Sequence, residues 1–560
     1  MSAIIECVPN FSEGINRKNI DQITQSIQSV DKVKLLDVDP GKATNRTVVT
    51  FVGPPDAVIE AAFQSIKKAA ELIDMSQHKG EHPRMGATDV CPLVPISGIS
   101  VEETIKYAEK LGQRVGEELG IPVYLYEYAA KKEDRKNLAT IRAGEYEGFA
   151  KKIKQDNWKP DYGPSELNAK AGVTAIGVRD FLIAYNVNLN TSSVRRANAI
   201  AFDVRDKGRI KREGNPLTGK ILRDKDGNAL REAGLLKSVK AIGWYIEEYG
   251  IAQISMNLTD INVTSLHKAF ETVRECANKR GLRVTGSELV GLVPKNVLLD
   301  AGKYFLKKQQ RSLGIAEAEI IKIAVKSLGL DELSPFDPSK KVIEYMLYDD
   351  SKNLLVNKTL VEFADETASE SPAPGGGSIS AYVGSLGVAL GGMVANLSSH
   401  KRGWDDKWEY YSNYAEEAQN IKSKLLQLVD EDTNAFNKIL AAIRMPKATD
   451  DEKKSRKKAI ADATKYAIDI PLLVMETAFS SYNVLEEMAE TGLSASISDA
   501  GVGALCTHAA IEGAYLNVRI NCKDFDDKDF VEDRLKKAKA ICAKSETAKQ
   551  KVLDKVFLKF

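Results

Sequence analysis

The stretch HKGEHPRMGATDVCP, residues 78–92, holds two of the chain's five histidines with a glutamate, an arginine and an aspartate beside them. That mixture suits metal binding, proton transfer, or a merely crowded polar turn. His78 and His82 stand at i and i+4, a spacing that on a helix turns both rings toward one ion. Pro83, however, disfavours helical backbone at His82, and Gly80 weakens it nearby. The order HKGEH also departs from HExxH, where the glutamate directly follows the first histidine. Metal-free acid/base work fits better: a histidine on a Pro/Gly loop at a strand entrance, with Arg84 available to a carboxylate and Asp89 able to orient a ring. The plain alternative is a histidine satisfied within its own turn.

A second group of chemistry-bearing residues sits in LVDEDTNAF, residues 428–436. Asp430, Glu431 and Asp432 interrupt a helix whose other positions follow an apolar period. A run of acids is usually a solvated face. Here Leu428, Val429, Ala435 and Phe436 flank it on both sides, so one acid is expected to face inward. A partly buried carboxylate has a raised pKa and can relay a proton.

The elements that must hold these residues differ between the two ends of the chain. Up to about residue 330, strand and helix signals alternate. AIIECVP, KLLDVD, RTVVTFVG, ATDVCPLVP and PVYLYEY read as strands. Between them lie a polar helix near 16–30, the helix PDAVIEAAFQSIKKAAELI, and one opened by a Ser100/Glu103 capping box. This is the β-α-β-β-α-β order of ferredoxin-like sandwiches with one more α-β. The order recurs after residue 178: FLIAYNVNL, the helix VRRANAIAFDVRD, a hairpin of KAIGWYIEE with IAQISMNL, the helix TSLHKAFETVRECANKR, and RVTGSELVGLVP. Two related halves with a ligand cleft between them are the expectation. DNWKPDYGPSELNAKAGVTA reads as the loop joining them, and the hydrophilic stretch 206–240 as a solvated excursion with a turn at Asp226-Gly227. Beyond DELSPFDPSKK only long helical periods remain. The expected division is therefore 1–178 and 179–330 as α/β (α+β) ferredoxin-like subdomains, a linker at 331–344, and an all-α helical domain at 345–560.

Composition bounds what such a chain does. At 560 residues it needs several cores. Lys plus Arg, 79, nearly cancels Asp plus Glu, 78, so no global field favours nucleic acid or an anionic membrane. Six scattered cysteines without a CxxC pair, and no basic-then-apolar leader, fit a reduced cytoplasmic protein. Residues 372–399 carry no charge, but their seven glycines point to a helix buried against other helices and not to a membrane span.

These stretches carry a resemblance. ECVPNFSEG (6–14), LLDVDPGKATNRTVVTFVG (35–53), GEHPRMGATDVCPLVP (80–95), NWKPDYGPSE (157–166), FLIAYNVNLN (181–190) and GSELVGLVP (286–294) resemble glutamate formimidoyltransferase. SPAPGGGS (371–378), LVDEDTNAF, SDAGVGA (498–504) and EGAYLNVRIN (512–521) resemble formimidoyltetrahydrofolate cyclodeaminase. Together they are similar to the bifunctional formimidoyltransferase-cyclodeaminase family, which implies a folate enzyme of histidine degradation, a transferase and an ammonia lyase in one chain. The resemblance implies His82 as the transferase acid/base and Asp432 as the cyclodeaminase carboxylate. It also implies a folate-binding loop of Gly163, Pro164, Ser165, Glu166, Leu167, Asn168, Ala169, Lys170, Ala171 and Gly172, whose glycines would let backbone approach a flat ring. Gly375–Gly377 and Asp499 are weaker candidates to line the second folate site, since tight helix packing accounts for those glycines equally well. The implied ligands are N-formimidoyl-L-glutamate and tetrahydrofolate, with or without a polyglutamate tail, and no metal. Burial of the glycine-rich helix between subunits would make a homo-oligomer. A folate-binding scaffold without turnover, or a chain with one active half, remain alternatives at this stage.

Overall fold

The computed structural model describes residues 3–41, 45–79, 84–214, 218–346 and 354–560. The chain divides into two compact units, Met1–Val297 with Leu328–Tyr348, and Leu298–Ser327 with Asp349–Phe560.

In the first unit, β1 (Ile4–Cys7), β2 (Asn10–Phe11), α1 (Arg17–Gln28), β3 (Lys34–Gly41), β4 (Arg46–Gly53), α2 (Pro55–Leu72) and β5 (Thr88–Ser97) form the expected sandwich. α3 (Val101–Leu119), β6 (Val123–Glu127), α4 (Leu138–Arg142), α5 (Glu145–Lys152) and β7 (Thr174–Val178) follow. β4 lies between β3 and β1/β2, and β5 pairs β1/β2 on their other side, the 4-1-3-2 ladder of a ferredoxin-like sheet. β7 and β6 then extend it in parallel beyond β5. α1, α2 and α3 cover one face, burying Ile5, Cys7, Phe51, Cys91 and Leu93. α3 starts at the expected Ser100/Glu103 box, with both reciprocal hydrogen bonds made. β7 begins at the end of the stretch that reads as loop, which holds its first two residues, Thr174 and Ala175. All five of its residues are buried, so it shows no alternation, and it is a short apolar run between glycine-rich flanks.

The second sandwich repeats the plan. β8 (Ile183–Leu189), α6 (Val194–Val204), β11 (Val239–Ile246), β12 (Ile251–Leu258), α7 (Leu266–Asn278) and β13 (Val284–Val290) give the ladder β11-β12-β8-β13. β11 and β12 form the predicted hairpin, from Val239 opposite Leu258 to Ile246 opposite Ile251. The excursion between α6 and β11 is a separate two-stranded ribbon, β9 (Arg209–Ile210) with β10 (Arg231–Glu232), turning at Gly227 with φ +82°.

α8 (Lys295–Lys308) and α9 (Glu317–Leu328) follow the second sandwich in sequence, yet residues 298–327 cluster with the helical unit. The cause is a close contact: Asn396 and Gln419 amides both donate to the Gly314 carbonyl, and a Cβ at Gly314 would lie 2.2 Å from the Ala415 carbonyl carbon. The stretch expected as a linker, 331–344, belongs instead to the first unit. It contains α10 (Pro338–Lys341), and α11 (Ile343–Met346) begins in it. Val342 is fully buried there, with Val293 donating to Lys341 and accepting from Ile343 along the backbone.

The rest of the helical unit comprises α12 (Leu360–Thr367), α13 (Gly376–Ser399), α14 (Trp408–Ile443), α15 (Asp450–Thr491), α16 (Ile497–Cys522) and α17 (Lys528–Phe557). Among the described residues α13 alone is long and apolar enough to cross a membrane, and 61% of its most apolar window is buried inside the unit. It runs antiparallel to α16 at close range. A Cβ at Gly387 would stand 2.8 Å from the Gly503 carbonyl oxygen, and one at Gly503 would stand 2.7 Å from that of Gly387. Small residues on this seam let the two backbones approach.

Candidate functional site

Three consecutive helix residues point roughly 100° apart, so Asp430, Glu431 and Asp432 on α14 cannot share one role. Asp430 accepts the Leu355 backbone N–H at 2.7 Å and so anchors the chain entering α12; burial raises its pKa. Glu431 is half-buried, and the Tyr466 hydroxyl, Asn434 and Lys438 together outweigh that burial and lower its pKa. Asp432 points into a cavity of about 150 Å³. This is the inward acid that the apolar flanks of LVDEDTNAF require.

The N-terminus of α13 holds Asp432. Its Oδ2 accepts from the Ser378 N–H at 2.9 Å and the Ser378 hydroxyl at 3.2 Å. Ser378 N–H lies in the first turn of α13, where backbone donors lack helical partners and the dipole favours an anion. Burial nevertheless wins: it raises the Asp432 pKa above the usual aspartate range, with the two Ser378 bonds opposing. Oδ1 receives no hydrogen bond from the described residues and stays open to the cavity. A side chain at Gly377 would displace the Asp432 carboxylate, since a Cβ there would lie 2.1 Å from Oδ1.

Gly375 and Gly376 line the cavity as expected, with Phe436, Ile439 and Ala467 as apolar walls. Asp499 does not. It occupies the first turn of α16, whereas the lining residues of that helix, Asn517 and Asn521, lie 18 and 22 positions on, about 27 Å or more along the axis. The two asparagines were missed by sequence reasoning. The signal was there: they are spaced i, i+4 on one helix, so both amides fall on the same face. Asn517 Nδ2 donates to the Gly513 carbonyl at 2.9 Å and Asn521 Nδ2 to the Ala467 carbonyl at 2.8 Å. A carbonyl partner fixes which way each amide faces, leaving both Oδ1 atoms without a donor among the described residues. The cavity is smaller than the roughly 300–1,000 Å³ that encloses a drug-sized ligand. Asn521 also borders a neighbouring groove of about 920 Å³ in which Lys447, Lys453, Arg456, Lys457 and Lys465 outnumber Asp524, Asp526 and Asp527, with Lys465 paired to Asp527 at 2.7 Å.

In the first unit, His82 lies outside the described residues, as do Gly80, Glu81 and Pro83. The flanks are braced. His78 Nε2 meets the Asn45 carbonyl at 3.0 Å, and Asn45 Nδ2 donates to the Lys79 carbonyl at 2.8 Å. Arg84 donates to Glu147 through both terminal nitrogens, at 2.7 and 3.0 Å, to Glu145 at 2.8 Å, and through Nε to His78 Nδ1 at 3.3 Å. Arg84 is thus committed to carboxylates of its own chain, and Glu147 first among them raises its pKa. Asp89 is likewise occupied: it accepts the Met85 N–H at 3.0 Å and pairs with Arg142. Neither is free for the substrate-binding or ring-orienting roles that their spacing suggests.

The loop Gly163–Gly172 is brought to the end of the same motif. Ala87 N–H donates to the Ala171 carbonyl at 2.8 Å, and Val173 N–H to the Met85 carbonyl at 3.0 Å. Pro164, Ser165, Glu166, Ala169 and Lys170 are exposed, Leu167 and Asn168 half-buried, and Ala171 buried. Its terminal glycines do not serve to admit a flat ring. At Gly172 (φ +70°) a Cβ would lie 2.3 Å from the Met85 oxygen, and at Gly163 (φ +83°) 2.7 Å from the Ile121 oxygen. Chain packing fills that space. Sequence reasoning also missed Glu6, a buried carboxyl on the sheet face away from α1–α3, pushed up to about 7 by burial against the pull of Arg179.

Architecture and site define a two-unit protein: a doubled ferredoxin-like unit, and a helical unit with an acid held at a helix N-terminus over a small polar cavity. Three family models match the chain in order: the formiminotransferase domain, N-terminal subdomain, over 4–179; the formiminotransferase domain over 184–348; and formiminotransferase-cyclodeaminase over 359–540. The formimidoyltransferase-cyclodeaminase of Mus musculus is 43% identical over 533 residues, 95% of either chain. The glutamate formimidoyltransferase of Thermoplasma acidophilum is 46% identical over 307 residues, 54% of this chain and 93% of its own. The methenyltetrahydrofolate cyclohydrolase of Methylorubrum extorquens is 34% identical over 200 residues, 36% of this chain and 96% of its own. The chain belongs to the formimidoyltransferase-cyclodeaminase family.

Proposed function

We propose that His82 and Asp432 are the proton-transferring groups of the two activities this chain carries. The first moves the formimidoyl group from N-formimidoyl-L-glutamate to N5 of tetrahydrofolate; the second closes the ring to 5,10-methenyltetrahydrofolate and releases ammonia. In the transfer, N5 attacks the formimidoyl carbon to give a tetrahedral centre. His82 takes the N5 proton and returns one to the departing glutamate nitrogen, work suited to an imidazole titrating near neutrality. In ring closure, N10 attacks the carbon of the protonated amidine. Asp432 takes the N10 proton and delivers it to the former imino nitrogen, which leaves as ammonia while N5–C–N10 keeps the positive charge. One observation carries this reading: the open Oδ1 of Asp432, whose other oxygen is fixed by Ser378. For His82 the support is the motif resemblance, with the Gly163–Gly172 loop as the folate contact. His82→Ala should abolish loss of formimidoylglutamate, and Asp432→Asn should abolish ammonia release, each leaving the other half-reaction intact. Normal turnover by either variant sinks its assignment.

Both steps as written are proton transfers and need no metal. The lysine-rich groove beside Asn521 suits a carrier with a polyanionic polyglutamate tail, so KM for ring closure should fall with added glutamates and rise with salt. The chain assembles as a homo-oligomer in the cytoplasm. Support for assembly is the exposed apolar strip along α13 (Leu386, Met393, Leu397) and that along α16 (Val502, Leu505, Leu516, Ile520), residues 39% or more exposed and each set on one helix face. Support for a reducing compartment is six free cysteines, with Cys7 and Cys91 unbonded at 3.5 Å. The likeness to a cyclohydrolase favours a second reading, in which the helical half hydrolyses methenyltetrahydrofolate. That reading predicts water-dependent loss of methenyl absorbance without ammonia.

A further inference from the structure

Among the described residues Asn517 and Asn521 are the only amide side chains bordering the Asp432 cavity, and none of those residues donates to their Oδ1 atoms. Both have their amide nitrogens tied to backbone carbonyls. With Asp432 Oδ1, the cavity therefore offers three oxygens that only accept. The Thr433 hydroxyl also lines the cavity, but a group set against these three oxygens is matched when it is donor-rich and positively charged and unmatched when it is a carbonyl.

Resting on the Asp432 reading above, we propose that Asn517 and Asn521 read the formimidoyl nitrogen itself: their Oδ1 atoms accept from the N–H bonds of the amidinium and hold it as ammonia departs. Through the reaction that nitrogen passes from =NH2⁺ to –NH2 on the tetrahedral carbon, then to –NH3⁺ after Asp432 passes it the N10 proton. It is thus a donor at every stage, and most strongly as it leaves. A 5-formyl folate has the same shape at N5 but presents a carbonyl oxygen, which would face the acceptors without a hydrogen. Discrimination between formimidoyl and formyl carriers is then a property of these two amides and not of the pterin contacts.

The test uses the full chain and two readings specific to the second site: kcat/KM for ring closure of 5-formimidoyltetrahydrofolate, and the inhibition constant of 5-formyltetrahydrofolate against that reaction. Asn517→Ala and Asn521→Ala should each lower kcat/KM about 10- to 100-fold, leave inhibition by the formyl folate unchanged or tighter, and leave the helical circular dichroism and its melting as in the wild type, the control for folding. Asn521→Asp, which keeps an acceptor, should restore most of the preference. Equal weakening of both folates would assign the amides to the pterin or to packing, and no change in either would remove them from the site; both results overturn the proposal. Should the alanine variants misfold, the aspartate variant decides, since loss of preference with the helical circular dichroism and melting intact also overturns it. Asp432→Asn assayed in parallel keeps the readings apart: ring closure surviving in that variant rejects the Asp432 assignment, whatever the asparagine variants do.

Discussion

Asp432 carries a conflict that can be measured. Burial raises its pKa, so above the ordinary aspartate range the native state holds an ionised group at a cost, and that cost fades as pH falls. Asp432→Asn should therefore melt no lower than the wild type at pH 7, and higher where the Ser378 bond survives, while ring closure is lost. Function kept at the expense of stability marks an active-site group. Ser378→Ala removes one bond that favours the carboxylate, so the acid limb of the ring-closure pH profile should move to higher pH. Glu6 shows the same sign elsewhere. With its native pKa pushed up to about 7 from an ordinary 4.5, stability is lost between those values as pH rises. Glu6→Gln should gain up to roughly 3 kcal/mol above pH 7 and nothing at pH 4, read by denaturant melts. At this scale the sequence spoke unevenly. The inward-facing acid of 430–432 followed from its apolar flanks. The commitments of Arg84 and Asp89 did not, because Glu147 and Arg142 approach from 63 and 53 residues away.

At the scale of elements, a close approach of α13 to α14 positions Asp432, and ion pairs brace the flank of the GEHPRMG segment. A methyl at Gly377 would overlap Asp432 Oδ1, so Gly377→Ala should cut ring closure at least about 100-fold with the transferase unaffected. In the first unit, α5 braces the flank of the GEHPRMG segment through Glu145 and Glu147. These carboxylates are half-exposed or more, so their ion pairs add no more than about 1 kcal/mol to stability. Changing both to glutamine should shift melting little yet lower the transferase rate about tenfold, measured as formimidoylglutamate loss. Paired strands and capped helices were legible from period and spacing: the β11–β12 hairpin and the start of α3 stand where the pattern puts them. β7 was not, because a strand buried on both faces loses the alternation that marks a strand.

At the scale of the whole molecule, the change from alternating strands to unbroken helical period marks two architectures in one chain. The exact partition is another matter. Residues 298–327 carry ordinary amphipathic helices whose pattern names no partner, and the Gly314–Ala415 approach that draws them to the helical unit is a tertiary fact. The exposed strips on α13 and α16 predict assembly: Leu516→Asp with Ile520→Asp should lower the sedimentation coefficient while the transferase continues. The most direct test of the account as a whole is to give Asp432→Asn formimidoylglutamate and tetrahydrofolate and follow three signals at once. The account predicts formimidoylglutamate consumed at the wild-type rate, 5-formimidoyltetrahydrofolate accumulating, and neither ammonia nor methenyl absorbance appearing. Ammonia and methenyl product formed at the wild-type rate would contradict it.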